Sequence, residues 1–374
     1  MKNKLLIKGG RLLDPVSGYN KARKDVLIAD GHFKLIADEI EQTGDMDVLC
    51  LEGEYVAPGF IDAHVHVYTA VSLGVAPDII GVDTGVTTVI DAGSAGPANI
   101  QNFIERDILT SQTRVFAAMH YAKTGLLNVP EADAPEKYDL ELAQEVYQKY
   151  RENIVAIKAR ASKSCVGQLG ITSIRAGKEL AGKLGLPIMV HIGNMPPAIE
   201  EVLDLMEAGD VITHAFHGKA NNLFAGGRMK KETKAARARG VVFDIGHGKE
   251  SYNFHTGAVA RELGFAPDII STDLHMQNYQ GPVYSLSVTM DKMLAMGFEL
   301  ADCIDKVTYR PAKYYGLKRL GSIKTGYHGD LTVFEVSDGK YDFTDSDGNQ
   351  IIGNQSIQVK YTVVGGKLFV NNPK

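Results

Sequence analysis

The chain has 374 residues, of which 44% are hydrophobic and 23% charged, and its formal net charge is −5. This composition is ordinary for a soluble globular protein; no Lys/Arg cluster supports nucleic-acid binding, and no apolar run is long enough to span a membrane. The charged N-terminal segment does not resemble a signal peptide, and three widely spaced cysteines (Cys50, Cys165 and Cys303) imply no disulfide framework, so we expect a cytoplasmic protein.

Both ends of the chain contain short strand-like runs that are separated by turns. The runs are bounded by Gly and Asp residues of the kind that close hairpins, and they cover residues 4–8, 25–29, 47–51, 330–334, 358–364 and 367–370. Neither set is large enough to fold alone. We therefore predict that residues 1–55 and 320–374 form one small β-sandwich domain, with a large insertion between them.

The insertion, residues 56–319, alternates strand-length apolar runs with helical patterns. This alternation is typical of βαβ units and a parallel sheet. The eight predicted strands cover residues 57–66, 87–91, 114–120, 154–160, 187–191, 211–214, 241–245 and 268–273. Helices are predicted over residues 140–153, 172–185, 197–209 and 255–264. Eight such units predict an α/β fold of the (β/α)8 TIM-barrel type, in which catalytic groups lie at the C-terminal ends of the strands.

Side chains that can bind metal ions end several of these strands. They are His64 and His66 on the first strand, Lys158 on the fourth, His191 on the fifth, His214 on the sixth and Asp273 on the eighth. Alternation along the first strand points both of its imidazoles the same way. Each histidine taken alone is more often a hydrogen-bonded structural residue. Together, at the same end of a barrel, they favour a metal site.

Lys158 stands in an otherwise apolar strand, where an ammonium group loses its hydration. One interpretation is an ion pair with a nearby carboxylate such as Asp273. The other is that the desolvated amine reacts with carbon dioxide. The resulting carbamate would be an anionic ligand with two oxygens, able to bridge two metal ions.

The pattern of these strand-end residues resembles the binuclear, carboxylated-lysine branch of the amidohydrolase superfamily. Pro58-Gly59-Phe60-Ile61-Asp62 before the first histidine and Gly329-Asp330-Leu331-Thr332-Val333-Phe334 near the end match the same superfamily. The resemblance spans nearly the whole chain. Dihydroorotases, hydantoinases and N-acyl amino-acid deacetylases share this scheme.

The resemblance implies a site with two Zn²⁺ ions per chain. His64, His66 and Asp273 would hold the more buried ion, His191 and His214 would hold the second, and Lys158, as N6-carboxylysine, would bridge the two. A hydroxide shared by the metals would attack the acyl carbon. Asp273 would be the catalytic residue that accepts the proton and passes it to the leaving group.

Three further residues are predicted to contact the substrate. Arg160 lies two residues beyond Lys158, on the same strand face, where a guanidinium can hold a carboxylate in a bidentate fork; a structural salt bridge is the alternative. Tyr121 follows the third strand, and His217 follows the sixth. Both can offer a hydrogen bond to a small molecule. We expect a small-molecule substrate that carries a carboxylate, and the sequence leaves homo-oligomer formation open.

These residues predict a metal-dependent hydrolase of the deacetylase type, acting on an N-acetylated amino acid or an acetylated hydroxy acid. The alternative is a cyclic amidohydrolase of the dihydroorotase or hydantoinase type. Dihydroorotases place an arginine soon after the paired histidines, whereas Val67-Tyr68-Thr69 follow here. An adenine deaminase fits poorly with Lys158, and a non-catalytic assembly relative fits poorly with a ligand set that lacks no member.

Overall fold

The computed structural model describes residues 3–371, and its strands belong to two main sheets and one short hairpin. The strands are β1 Lys4–Asp14, β2 Tyr19–Ala29, β3 His32–Ala37, β4 Asp47–Cys50, β5 Tyr55–Pro58, β6 Phe60–Val65, β7 Val86–Ala92, β8 Arg114–His120, β9 Ile154–Ala161, β10 Ile188–Ile192, β11 Val211–Thr213, β12 Phe224–Ala225, β13 Arg228–Met229, β14 Val242–Phe243, β15 Leu331–Thr344, β16 Gln350–Val364 and β17 Lys367–Val370.

Helices lie between and beyond the strands of the parallel sheet. The α-helices are α1 Pro77–Ile80, α2 Ile100–Phe103, α3 Leu140–Tyr150, α4 Lys163–Val166, α5 Ile171–Leu184, α6 Ile199–Leu205, α7 Lys231–Arg239, α8 Phe254–Glu262, α9 Leu286–Ala295, α10 Leu300–Lys306 and α11 Tyr309–Tyr314. Single-turn 3-10 helices cover Val82–Thr84, Gly125–Leu127, Pro135–Lys137 and Gly167–Leu169, and a π-helical turn covers Ile104–Ile108. Between residues 3 and 371, no helix is long and apolar enough to cross a bilayer.

Both ends of the chain build one sheet, whose order is β17-β16-β15-β5-β1-β2-β3, with β4 also paired to β1. The two ends meet where β5 runs antiparallel to β15, with Val56 opposite Val333. These two valines and Val26, from the N-terminal strands, are buried in one apolar cluster, so neither end could bury its own face alone. The prediction that both termini share a small β domain is confirmed.

The predicted first barrel strand is divided between the two sheets at Gly59. Residues 55–58 pair in the terminal sheet, and β6 begins the barrel immediately afterwards. Gly59 donates its N–H to the Asp330 carbonyl at 2.8 Å. A Cβ atom at this position would lie only 2.2 Å from Thr87 Oγ1, so the close approach of β7 requires glycine here. The domain limits at residues 55 and 320 stay a prediction.

The second sheet is parallel, with the order β14-β11-β10-β9-β8-β7-β6. It curls into the predicted barrel, and helices cover its outer face. The predicted helices occur with limits shifted by a few residues. The helix α5, for example, ends at Leu184, and the next residue, Gly185, adopts the left-handed conformation of a C-cap with a φ of 66°. The alternation of apolar runs and helical patterns therefore predicted the barrel correctly.

The eighth predicted strand, residues 268–273, is not a regular strand, yet it closes the barrel. Its backbone bonds on one side to the segment after β14, where Ile245 N donates to Ile269 O at 3.1 Å, and on the other to β6, where Asp273 N donates to His64 O at 2.7 Å. Side-chain hydrogen bonds replace the missing ladder: Ser271 donates to Asp244, and Thr272 to Asp62. Polar side chains that compete for the backbone's partners interrupt the regular pairing.

Candidate metal centre

The C-terminal ends of the barrel strands surround one cavity of about 200 Å³. All six residues predicted as metal ligands line it: His64, His66, Lys158, His191, His214 and Asp273. Three of these donors, His64, His214 and Asp273, have ligand atoms within 4.8 Å of one another. The structure therefore brings the predicted ligands together at the mouth of the barrel.

A β-bulge near the end of β6 aims His64, and His66 just after the strand, into this cavity. The register with β7 shifts between Asp62 and Val65, so one extra residue is accommodated on β6. His64 Nε2 and His66 Nε2 lie 3.4 and 3.1 Å from Asp273 Oδ1. His66 is oriented from behind, because its Nδ1 lies 2.9 Å from Ser94 Oγ. The two imidazoles and the carboxylate thus converge on one point.

The hydrogen bonds behind the ligands fix which ring nitrogen faces the cavity. The Thr213 hydroxyl donates a hydrogen bond to Asp244 at 2.7 Å. Its oxygen therefore accepts a hydrogen bond from His64 Nδ1, at 2.8 Å. His214 Nδ1 donates to the Gly246 carbonyl at 2.6 Å. Both rings consequently keep the lone pair on Nε2, on the cavity side. This is the tautomer and the support that metal-binding histidines have, so the donor set fits a metal ion.

Burial also sets the charge states of these groups in favour of metal binding. It lowers the pKa of His64 and of His191 well below the usual value, and that of His214 to about 3. The imidazoles are therefore neutral ligands at pH 7. Burial alone would raise the pKa of Asp273, but its interactions with the His64 and His214 imidazoles and the hydrogen bond from His66 outweigh burial and hold this pKa well below its usual range. Asp273 is therefore an anion.

Lys158 lies at the centre of this group, fully buried. Its Nζ is 3.2 Å from His64 Nε2 and 3.3 Å from Met189 Sδ, and it forms no ion pair with any described carboxylate. Burial lowers its pKa to about 7, so a large share of the amine is unprotonated near neutral pH. The structure thus contains no Lys158–Asp273 ion pair, and the amine has the desolvation that carbamate formation needs.

Two of the candidate ligands have strained backbone conformations. His214 and Asp273 adopt φ values of 65° and 52°, in the left-handed region. A residue with a Cβ atom costs about 1–2 kcal/mol there, and such strain is concentrated at functional sites. These outliers are independent of the side-chain geometry and point to the same end of the barrel.

Arg160 lines the cavity beside the candidate ligands. It is directly opposite His191 in the pairing of β9 with β10. Its Nη1 lies 3.3 Å from Oε1 of Glu131, which is buried and whose other oxygen has no hydrogen-bond partner. Burial alone would raise the pKa of Glu131, but the imidazole of His120, whose Nε2 lies 3.7 Å from Oε1, and the charge of Arg160 hold it below its usual value. Arg160 is therefore both salt-bridged and accessible from the cavity.

The other two predicted substrate contacts do not line this cavity. Tyr121 is buried outside the barrel wall, where its hydroxyl bonds to Ser173 at 2.5 Å and its ring packs on Tyr138. This orientation of Tyr121 was predictable from the sequence, because consecutive residues such as His120 and Tyr121 face opposite sides of a strand. His217 is buried beneath a loop, and its Nδ1 accepts the N–H of Lys219 at 3.1 Å. Neither Tyr121 nor His217 is therefore placed where it could make the predicted contact with a substrate in this cavity.

Several residues that shape the site were missed or given little weight from sequence. The cavity is also lined by Lys219, Lys249, Glu250, Ser251, His275, Gln277, Leu73 and Leu126. Most follow the ends of predicted strands, which is a usable signal in a barrel. Ser94, Thr213 and Glu131 had no such signal as supporting residues, because their roles depend on partners that lie far away in sequence.

Comparisons with known proteins agree with this geometry. The model of the amidohydrolase family matches residues 55–369. A deacetylase from Enterococcus faecalis is 36% identical over 372 residues, covering 98% of this chain and 99% of that protein.

Two solved structures are similar over almost the whole chain. One, described as an adenine deaminase, has a TM-score of 0.94 and 35% identity, covering 98% of this chain and 99% of that one. The other, described as a dihydroorotase, has a TM-score of 0.92 and 31% identity, covering 99% of this chain and 98% of that one. The fold is thus common to proteins with three different activity names, and the cavity has to distinguish among them.

Proposed function

The chain belongs to the amidohydrolase family, and we propose that it is a metal-dependent deacetylase. It cleaves an acetyl or similar acyl group from the amide or ester of a small carboxylic acid, such as an N-acetylated amino acid or an acetylated hydroxy acid. The observation that carries this proposal is the convergence of six ligand residues on a cavity whose wall also presents Arg160.

The proposed ligand set divides the residues between two zinc ions. His64, His66 and Asp273 would hold one ion, His191 and His214 would hold the other, and Lys158, carboxylated on Nζ, would be a ligand of both. The neutral imidazoles support this assignment, as do the two rings whose Nε2 lone pairs face the cavity and the desolvated amine of Lys158. We also propose that the enzyme acts in the cytoplasm.

When bound, the metal ions would polarise the acyl carbonyl and activate water at neutral pH. Side chains of the protein would transfer the proton and orient the substrate. Asp273 is ionised and its side chain is 13% exposed, so Oδ1 can accept a proton from inside the cavity and return it to the leaving nitrogen or oxygen. Arg160 orients the substrate by hydrogen bonds to its carboxylate.

The cavity wall favours a deacetylase over a dihydroorotase. The loop after His66 contributes Leu73 to the wall and no cation, whereas Arg160 enters from β9. Thr69, in the same loop, donates its hydroxyl to Asp107 at 2.7 Å. An adenine deaminase has no need of a carboxylate anchor. The 36% identity to a protein named deacetylase over nearly the whole chain supports the same choice.

The test is a substrate panel with purified, zinc-loaded protein. Acetate release is measured from both enantiomers of N-acetylated amino acids and acetylated hydroxy acids, ring opening from dihydroorotate and hydantoins, and ammonia release from adenine. We expect kcat/KM to be at least about 100-fold higher for an acetylated acid, since differential transition-state binding of this size separates substrate classes. Faster turnover of a cyclic amide or of adenine would refute the deacetylase assignment.

A further inference from the structure

Lys219 is a second cation in the wall of this cavity, on the loop that follows β11. In the parallel sheet β10 lies between β9 and β11. Arg160 is on β9, His191 on β10, and Lys219 on the loop that follows β11, and all three line the cavity. Two cations from neighbouring strands therefore flank one candidate metal ligand.

The loop that carries Lys219 is held by a set of hydrogen bonds. Its N–H donates to His217 Nδ1 at 3.1 Å, and its carbonyl accepts from Asn222 Nδ2 at 2.7 Å. Asn221, which is buried, bonds to Gly193 O at 2.9 Å and to Ile199 N at 2.9 Å, tying the loop to the segment after β10. The backbone of Lys219 is thus fixed relative to the His191 strand. His217, predicted to touch substrate, instead supports this loop.

The charges of the two cations are not equivalent. Arg160 is paired with the buried carboxylate of Glu131, so the pair has little net charge. Lys219 forms no ion pair within residues 3–371, so no carboxylate in that part of the chain is paired with it.

We propose that Lys219 and Arg160 form a two-cation clamp for the substrate carboxylate beside His191. Arg160, held from behind by Glu131, supplies directed hydrogen bonds, and Lys219 supplies the net positive charge that attracts an anion into the cavity. This inference rests on the proposed function and deepens it, since it names the groups that select acids over neutral amides. The carboxylate lies next to the acylated atom, because the clamp and the candidate ligands share a cavity of about 200 Å³.

The first arm of the test is kinetic and compares N-acetylalanine with its neutral carboxamide. In Lys219→Gln we expect KM for the acid to rise about 10- to 100-fold, the size of a lost hydrogen bond to a charged group. The KM for the carboxamide and kcat for both should change less than about threefold, within the error of such estimates. Lys219→Arg, which keeps the charge, should restore most of the preference for the acid.

Lys249→Gln is the matched control. Lys249 also lines the cavity, but it lies on the loop after β14, away from the strands that carry Arg160 and His191. Removing the same charge there should change KM for the acid and for the carboxamide by similar factors. If Lys219→Gln and Lys249→Gln lost the preference for the acid equally, the preference would come from the overall positive potential of the cavity and not from a clamp. That result would overturn the proposal.

The second arm measures binding alone, so that it does not depend on turnover. Lactate and lactamide are titrated calorimetrically into zinc-loaded wild type and Lys219→Gln. We expect lactate to bind wild type more tightly than lactamide, and Lys219→Gln to abolish the difference. This result without deacetylase activity would keep the clamp and reject the proposed function. Equal binding of both compounds by wild type, or no binding of lactate, would reject the clamp whatever the enzyme hydrolyses.

Discussion

The protein buries two lysines that share many properties, Lys158 at the mouth of the barrel and Lys292 on α9. Each is about 1% exposed. Burial lowers the pKa of each to about 7. Each ammonium also faces a histidine Nε2, at 3.2 Å from His64 and 2.8 Å from His247. By desolvation alone, the two positions are indistinguishable.

Their surroundings differ. Lys292 also donates to the Pro282 carbonyl at 2.9 Å, and its partner His247 is held by Gly248 O at 3.0 Å. Its hydrogen-bonding capacity is therefore used to connect α9 with two loops, and it does not line the candidate cavity. Lys158 has only an imidazole and a thioether beside it and lies on the cavity wall among five other candidate ligands.

The comparison teaches that a perturbed lysine does not by itself mark a reactive site. Structural groups also have shifted pKa values. What distinguishes Lys158 is access to a cavity and the convergence of donor atoms that could share a metal ion with it. The following predictions test whether that distinction is real, beginning with the largest effect.

Replacing Lys158 by alanine should abolish most metal binding and activity. The change removes the proposed bridging ligand and leaves both ions with incomplete coordination. We expect the zinc content, measured by elemental analysis, to fall from about two per chain to well below one, and kcat to fall at least about 1,000-fold, as when the principal catalytic group is lost. Full zinc content in Lys158→Ala would refute the bridge.

Replacing Lys292 by methionine should instead lower stability and leave the metal content unchanged. Methionine fills a similar volume but leaves the Pro282 carbonyl and His247 Nε2 without their donor. We expect the free energy of unfolding to fall by about 1–3 kcal/mol, the cost of a buried polar group left unpaired. Denaturant unfolding measures this change, and zinc analysis of the same samples is its control. Loss of zinc here would erase the distinction between the two lysines.

The pH dependence of the free energy of unfolding should report the lowered pKa of Lys292. The folded protein releases the Lys292 proton near pH 7, whereas the unfolded chain keeps it to about pH 10.5. Between these values the unfolded state binds more protons, so the contribution of Lys292 to the free energy of unfolding rises with pH, by up to about 1.4 kcal/mol per pH unit. Denaturant titrations of wild type and Lys292→Met from pH 7 to 9 should therefore diverge. Parallel curves would mean that Lys292 keeps its usual pKa.

Much of the barrel was predictable because regular structure leaves a periodic trace in the sequence. β8 has the predicted limits of residues 114–120, and all six proposed ligands line the cavity. Strand ends in a parallel barrel share one mouth, so the position of Lys158 or His191 along its strand was enough to place it. No periodic pattern in the sequence predicted the bulge in β6, although this bulge orients His64 and His66.

The sequence by itself determined the fold class and the residues at the barrel mouth, because these depend on local periodicity and strand polarity. Only the tertiary structure decided how the barrel closes through an irregular segment and which groups support the ligands. It also decided that Tyr121 faces away from the cavity and that Lys219 lines it together with His191 and Arg160. These features depend on contacts between segments far apart in sequence, such as Glu131 with Arg160, and on side-chain hydrogen bonds that replace a strand ladder. Local patterns do not encode such pairings, because packing of the whole chain selects them.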